Sequence, residues 1–114
     1  MSDEFTNGLT NKQAEMLAVL AEECAEVVQA IGKALRHGLD SVNPVTPGPT
    51  NIEQIMIELG HVRAIVAIAT AANLFDGKKI NKSMMAKIGS VGKWLHHSDM
   101  SEIMLAYDTA SKYV

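Results

Sequence analysis

Cysteine, aromatic residues and proline are all scarce in this chain of 114 residues, and these scarcities narrow the class of protein. The single cysteine, Cys24, excludes an internal disulfide and a cysteine-rich zinc site, and it suits a reducing cytoplasm. Aromatic residues make up only 4% of the chain, so its 47% hydrophobic content comes mainly from alanine, aliphatic residues and seven methionines. Alanine, leucine and methionine favour helices, and a core with so few aromatic residues is typical of helical proteins. We therefore expect an all-α protein.

A strong charge of one sign and a long apolar run are also missing. Ten basic and thirteen acidic residues give a formal net charge of −3, with no block of lysine and arginine. This balance argues against binding to nucleic acid polymers or to a membrane surface. The longest uncharged apolar run, residues 64–72, is too short to span a bilayer, and the first residues lack the pattern of a signal peptide. We expect one domain, residues 1–114, in the cytoplasm.

All three prolines fall in one segment, residues 38–50, which we call the proline loop. It separates one predicted helix from three others. Thr10 with Gln13, and Thr50 with Glu53, have the spacing of a capping box at a helix start. No segment alternates with period two, so no strand is predicted. Helices are predicted from Thr10 to about His37, from Thr50 to about Asn73, from about Lys79 to His96, and from a box of Asp99 and Glu102 to about Lys112.

The two helices that flank the proline loop are apolar on more than one side. Over residues 62–72 of the second helix, only Arg63 and Thr70 are polar. A helix that is apolar all round must be covered all round, and one short chain cannot cover two such helices by itself. We therefore expect a four-helix bundle that is completed by homo-oligomerisation, as a homodimer or a homotetramer.

Carboxylates and one histidine interrupt the apolar sequence of both helices. Glu22, Glu23 and Glu26 share one face of the first helix, and Glu58 is followed three residues later by His61 in the second. If the two sets face each other, they form a ring of oxygens and one imidazole. Oxygen ligands suit Mg²⁺, and an imidazole suits Mn²⁺ and heavier metals. A solvated acidic face and a hydrogen-bonded core histidine are the alternatives at this point.

The order of these motifs resembles that of one protein family. Glu23-Cys-Ala-Glu26, a spacer of 31 residues and Glu58-Leu-Gly-His61 are similar to the Glu-x-x-Glu and Glu-x-x-Asp motifs of the MazG-like all-α nucleoside triphosphate pyrophosphohydrolases of phages and bacteria. The similarity extends over roughly residues 13–97. His61 stands where the family has aspartate. A ferritin-like di-iron protein is an alternative, since Glu58-x-x-His61 matches half of its ligand pattern.

The resemblance implies hydrolysis of a nucleoside triphosphate, often a deoxynucleotide and in phage members often a purine, to the monophosphate and pyrophosphate. In that chemistry a metal-activated water attacks the α-phosphorus. The implied cofactor is Mg²⁺ or Mn²⁺, with Glu23, Glu26, Glu58 and His61 as ligands. Glu22 is implied to orient the water or to hold a second metal, and it shares the catalytic role with Glu23 and Glu26.

Contacts with the substrate are predicted from cationic residues near the motifs. Lys33 lies two turns beyond Glu26 on the same face, and Arg36 lies on its flank. The resemblance adds Lys87, Lys93 and Trp94, and Gln13 is placed near the base. A non-catalytic module that binds a nucleotide or a metal is the remaining alternative.

Overall fold

The structure, a computed structural model, describes residues 7–112, and most of these residues are helical. Within that range there are four α-helices and one short 3₁₀-helix, and no strand. The predicted all-α class is therefore confirmed. The elements are α1 (Asn11–His37), α2 (Asn51–Ala71), α3 (Gly77–Ser90), a 3₁₀-helix (Val91–Trp94) and α4 (Met100–Ser111).

Helix α1 has the limits that its capping residues predict. The Thr10 side chain accepts a hydrogen bond from the Gln13 backbone, and the Gln13 side chain accepts one from the Thr10 backbone. At the other end, Gly38 has φ 90°, a backbone conformation that favours glycine. Its N–H group donates to the Ala34 carbonyl at 2.8 Å, and the helix ends there.

Helix α2 also begins at its predicted cap but ends two residues early. Thr50 and Glu53 form a second capping box. The helix ends at Ala71 because Asn73 adopts φ 62°, which a right-handed helix cannot contain. The predicted end, at about Asn73, lies two residues beyond the observed one.

Helix α3 differs most from its prediction. It begins at Gly77, where the Asp76 side chain accepts from the Lys78 backbone, and it ends at Ser90 instead of His96. A 3₁₀ turn follows, and glycines at 89 and 92 bracket the change. Glycine costs about 1 kcal/mol in a helix interior relative to alanine, which explains the early end.

Helix α4 begins after Asp99, as predicted, but with a different cap. The Asp99 side chain accepts hydrogen bonds from the backbone and the hydroxyl group of Ser101. The hydrogen bond that a capping box would form with the Glu102 side chain is not part of this cap. The bonds from Ser101 lower the pKa of Asp99, with the Ser101 side chain as the largest cause.

Within residues 7–112, the helices group into two compact units, which are divided between Leu74 and Phe75. In the first unit, α1 packs against α2 as a helical hairpin. In the second unit, α3 packs against α4 and the 3₁₀-helix. Gly92 lies close to Ile103 there: a Cβ atom at this glycine would be 3.4 Å from the Ile103 Cδ1 atom. The single domain over residues 1–114 stays a prediction.

Little of the apolar surface of the described residues is covered. Ala30 and Ala69 are the only buried apolar residues among residues 7–112. Leu35, for example, is 83% exposed. The exposed large apolar side chains of α1 and α2 are Leu17, Val28, Ile31, Leu35, Met56, Ile57, Leu59 and Ile68. A surface of this kind marks an interaction site more often than a free surface.

Helix α2 is long and apolar enough to cross a membrane by length and composition, because it has 21 residues and its most apolar stretch of 18 residues has a mean hydropathy of 1.3. The core helix of a water-soluble protein passes the same test. The sequence-based prediction considered only the uncharged run of residues 64–72 and therefore missed this property of the whole helix.

Candidate metal centre and adjoining cleft

Four side chains from α1 and α2 converge in the helical hairpin. Glu23 and Glu26 lie one turn apart on α1, and Glu58 and His61 lie one turn apart on α2. Each offers one ligand atom, and these four atoms all lie within 4.8 Å of one another. Sequence spacing places each pair on one helix face, and the packing of α1 against α2 brings the two pairs together.

Two carboxylate oxygens in this cluster lack the partners that buried oxygens normally have. The Oε2 atoms of Glu23 and Glu58 are buried and have no hydrogen-bond donor in the described chain. The Nδ1 atom of His61 is 3.4 Å from each of them. Buried polar atoms are nearly always satisfied, so these two oxygens call for a partner such as a water, a proton or a cation. The donor set of three carboxylates and one imidazole fits a divalent metal.

Glu58 is the most buried member of the cluster and is held in place by Gln54. Only 8% of Glu58 is exposed. The Gln54 amide donates from Nε2 to the Oε1 atom of Glu58 at 2.7 Å, which leaves Oε2 directed to the cluster. The spacing of four residues places Gln54 beside Glu58, but its role as a donor to this carboxylate was not predicted.

The electrostatics of the cluster raise the pKa of Glu26 above its ordinary value. Hydrogen bonding with the Glu58 side chain is the largest cause, and repulsion from the Glu23 charge comes next. Desolvation and the charges of Glu58 and Glu22 act in the same direction. Neighbouring acids make the charged form of Glu26 less stable, and a cation among them would offset that repulsion.

Glu22 is exposed and does not belong to the converging group. It lies one turn before Glu26 on α1, and its charge is one of the causes that raise the pKa of Glu26. Its predicted role in orienting a water or in holding a second metal stays a prediction.

A cleft of about 840 Å³ adjoins the cluster within the first unit. Its walls are the C-terminal half of α1, the proline loop and the first turns of α2. Glu26 and Glu58 line it, so the cluster opens into the cleft. Lys33 and Arg36, two of the predicted substrate contacts, line the same cleft together with His37. The volume is within the range of pockets that hold small molecules.

The proline loop is tied to the start of α2 by its first residues. The Asn51 backbone N–H donates to Ser41 O at 3.0 Å, and the Ile52 N–H donates to Leu39 O at 2.9 Å. The Asn51 side chain donates to Gly38 O at 2.8 Å. These bonds and the restricted φ of the prolines hold the loop as a wall of the cleft. Sequence reasoning treated the loop as a spacer and did not predict this role.

The remaining predicted contacts do not line the cleft. Gln13 is part of the α1 capping box. Lys87, Lys93 and Trp94 belong to the second unit. Trp94 is 67% exposed, and the Nζ atom of Lys93 lies 5.5 Å from the centre of its ring. That geometry is a cation–π contact. Substrate binding by these four residues stays a prediction.

Comparison with known proteins adds no relative, since no family model, no curated protein and no solved structure matches the chain. The resemblance to the MazG-like enzymes therefore rests on the motifs and their order along the sequence.

Proposed function

We propose that the protein is a metal-dependent pyrophosphohydrolase of the MazG-like type, which converts a nucleoside or deoxynucleoside triphosphate to the monophosphate and pyrophosphate. One observation carries the proposal. The ligand atoms of Glu23, Glu26, Glu58 and His61 converge within 4.8 Å, and the cluster opens into a cleft that contains Lys33. A cation site next to a basic cleft suits a substrate that carries a chain of phosphates.

The four converging residues would hold the metal, Mg²⁺ or Mn²⁺. A bound divalent cation neutralises phosphate charge and lowers the pKa of a water molecule. The hydrogen bond from Gln54 keeps the Glu58 carboxylate turned toward the other ligands. Glu22 is exposed and one turn from Glu26, so it is the free carboxylate that would accept the proton of the attacking water. Lys33 and Arg36 supply positive charge to the phosphates.

The same proposal includes assembly into a homodimer or homotetramer. Many large apolar side chains of α1 and α2 are exposed, among them Met56, Leu59 and Ile68 of α2. A second copy would cover them in a larger helical bundle. Burial of these side chains in a membrane is unfavourable, because Gln54, Glu58 and His61 also lie on α2 and are costly to place in a bilayer. We therefore propose a water-soluble oligomer in the cytoplasm.

A panel of nucleoside and deoxynucleoside triphosphates with Mg²⁺ or Mn²⁺ tests the activity. The expected products are monophosphate and pyrophosphate. Glu26→Gln is expected to lower the rate by at least about 100-fold, because it removes an anionic ligand from the site. Glu15→Gln is the matched control, since Glu15 is an exposed acid of the same helix. Release of orthophosphate and nucleoside diphosphate would contradict the proposal.

Measurements of nucleotide binding, metal content and redox activity, made beside this panel, separate the alternatives from the proposal. A protein that binds a metal and a nucleotide without turnover is the non-catalytic module. Retained iron and redox activity would identify the di-iron protein. Equal rates for the Glu26→Gln and Glu15→Gln variants would indicate that the cluster is a solvated acidic face and not a catalytic metal site.

A further inference from the structure

The cleft beside the proline loop is lined by cationic, hydroxyl and amide groups together with the apolar residues Ala30, Val42, Pro44 and Pro49. Among the described residues that line it, none is Phe, Tyr or Trp, and the imidazole of His37 is the one aromatic ring. Binding sites for flat heterocycles usually contain aromatic or extended apolar surface. The cationic, hydroxyl and amide groups of the lining belong to Lys33, Arg36, Ser41, Asn43, Thr46 and Asn51. This chemistry suits an anion with several oxygens.

The acidic and basic residues of α1 that line the cleft lie at different positions along the helix axis. Lys33 is seven residues beyond Glu26, about 10 Å of helix rise, and Arg36 is about 15 Å beyond it. Both are on the cleft side of the helix. Side chains of a helix lean toward its N-terminus, so the Lys33 and Arg36 side chains lean back toward the acid cluster. A phosphate chain that begins at the cluster would therefore extend toward these cations.

Asn43 of the proline loop also lines the cleft. Its Oδ1 atom accepts hydrogen bonds from the backbone N–H groups of Val45 at 2.8 Å and Thr46 at 3.2 Å. The two backbone donors identify this atom as the oxygen, so the other terminal atom is the NH₂ group. That group is a hydrogen-bond donor on a residue that lines the cleft.

We propose that the cleft binds the pyrophosphate portion of a nucleoside triphosphate through Lys33, Arg36 and the Asn43 amide, and that the nucleoside lies beyond the acid cluster, outside the cleft. The assignment of this anion to a nucleotide rests on the proposed function. The anion site itself rests on the charges and donors of the cleft. The proline loop then selects for the length of the phosphate chain and does not select the base.

Asn43→Asp tests the site with little change to the fold. Aspartate keeps an oxygen for Val45 and Thr46 but replaces the amide donor with a negative charge. Asn7→Asp is the matched control, because the Asn7 Oδ1 atom accepts in the same way from the Leu9 backbone and the residue is not part of the cleft. The melting temperatures of both variants are expected to stay close to that of the wild type.

The measurement is equilibrium dialysis of radiolabelled inorganic pyrophosphate with saturating Mg²⁺, and a nucleoside monophosphate serves as a second probe. Asn43→Asp and Lys33→Met are each expected to weaken pyrophosphate binding by at least about 10-fold, because each removes a donor to a charged oxygen. Asn7→Asp and Lys12→Met, which change exposed residues outside the cleft, are expected to leave it unchanged. Monophosphate binding is expected to stay within about two-fold in all four variants.

The outcomes separate this inference from the proposed function. Hydrolysis of triphosphates with unchanged pyrophosphate binding in Asn43→Asp and Lys33→Met would overturn the inference and leave the function intact. An equal loss of monophosphate and pyrophosphate binding would also overturn it, because the nucleoside would then occupy the cleft. Pyrophosphate binding that depends on both residues, without hydrolysis of any triphosphate, would support the anion site and refute the enzyme.

Discussion

Glu58→Gln is expected to stabilise the metal-free protein while it weakens the metal site. The Oε2 atoms of Glu58 and Glu23 are buried without a hydrogen-bond donor. A glutamine at position 58 keeps an oxygen for the Gln54 amide and turns its own NH₂ group toward Glu23. The substitution therefore removes a buried negative charge and supplies a donor to an oxygen that lacks one.

The size of the effect follows from the cost of an unsatisfied buried group. That cost is about 1–3 kcal/mol, and 1 kcal/mol corresponds to roughly 4 °C in the melting temperature of a domain of this size. The melting temperature of Glu58→Gln is thus expected to exceed that of the wild type by roughly 4–12 °C in EDTA. Metal at 100 times its Kd stabilises the wild type by about 2.7 kcal/mol. The variant gains less, because it has one anionic ligand fewer.

Thermal unfolding followed by circular dichroism measures both effects. The runs use EDTA and then Mn²⁺ at one fixed protein concentration, since the stability of an oligomer depends on concentration. Glu15→Gln removes the same charge from an exposed position of α1 and controls for net charge. The reasoning is refuted if Glu58→Gln is less stable than the wild type in EDTA, or if Mn²⁺ stabilises both proteins equally.

Four further predictions follow from the same residues. Because the pKa of Glu26 is raised in the folded state, its charged form disfavours folding, and stability is lost as the pH rises through that raised value. Metal-free Glu26→Gln is therefore expected to be more stable than the wild type at neutral pH, with a difference that vanishes in acid; urea unfolding at several pH values measures this. If His61 is a ligand, activity favours Mn²⁺ over Mg²⁺, and His61→Asp shifts the preference toward Mg²⁺. Rates measured with each metal test this. The ligand role would be contradicted if the wild type is equally active with both metals and His61→Asn does not change that. Thr50→Ala is expected to cost about 1 kcal/mol of unfolding free energy. Hydrogen bonds from the Thr50 backbone and hydroxyl lower the pKa of Glu53, and the substitution removes only the hydroxyl, so NMR titration should show a partial rise of this pKa; an unchanged pKa would count against the cap. Light scattering is expected to show a dimer or tetramer, and a monodisperse monomer at micromolar concentration would refute the oligomer.

Local interactions along the chain could be predicted from the sequence. The starts of α1 and α2 follow from Thr10 and Thr50, because a capping box needs only residues three positions apart. Likewise, the pitch of a helix places Glu23 beside Glu26 wherever the helix packs. Such features depend on a few neighbouring residues, and one sequence contains all of the information that they need.

The end of α3 shows where local reasoning was insufficient. The apolar pattern continues to Trp94, but the helix ends at Ser90 and changes to a 3₁₀ turn. In this turn Gly92 lies close to Ile103 of α4. The glycines at 89 and 92 weaken the helix locally, and the contact with Ile103 adds a constraint that no periodicity within residues 79–96 contains.

The candidate site itself depends on contacts between distant parts of the sequence. Helix pitch pairs Glu58 with His61, but only the packing of α1 against α2 brings them to Glu23 and Glu26. The place of Asn43 in the cleft depends likewise on bonds between the proline loop and the start of α2. The sequence by itself determined the helices and the residue types available for a metal. The tertiary structure decided which of these residues meet, because the free energy of those contacts arises only when α1 and α2 pack together and bring Glu26 and Glu58, which 31 residues separate in sequence, to one place.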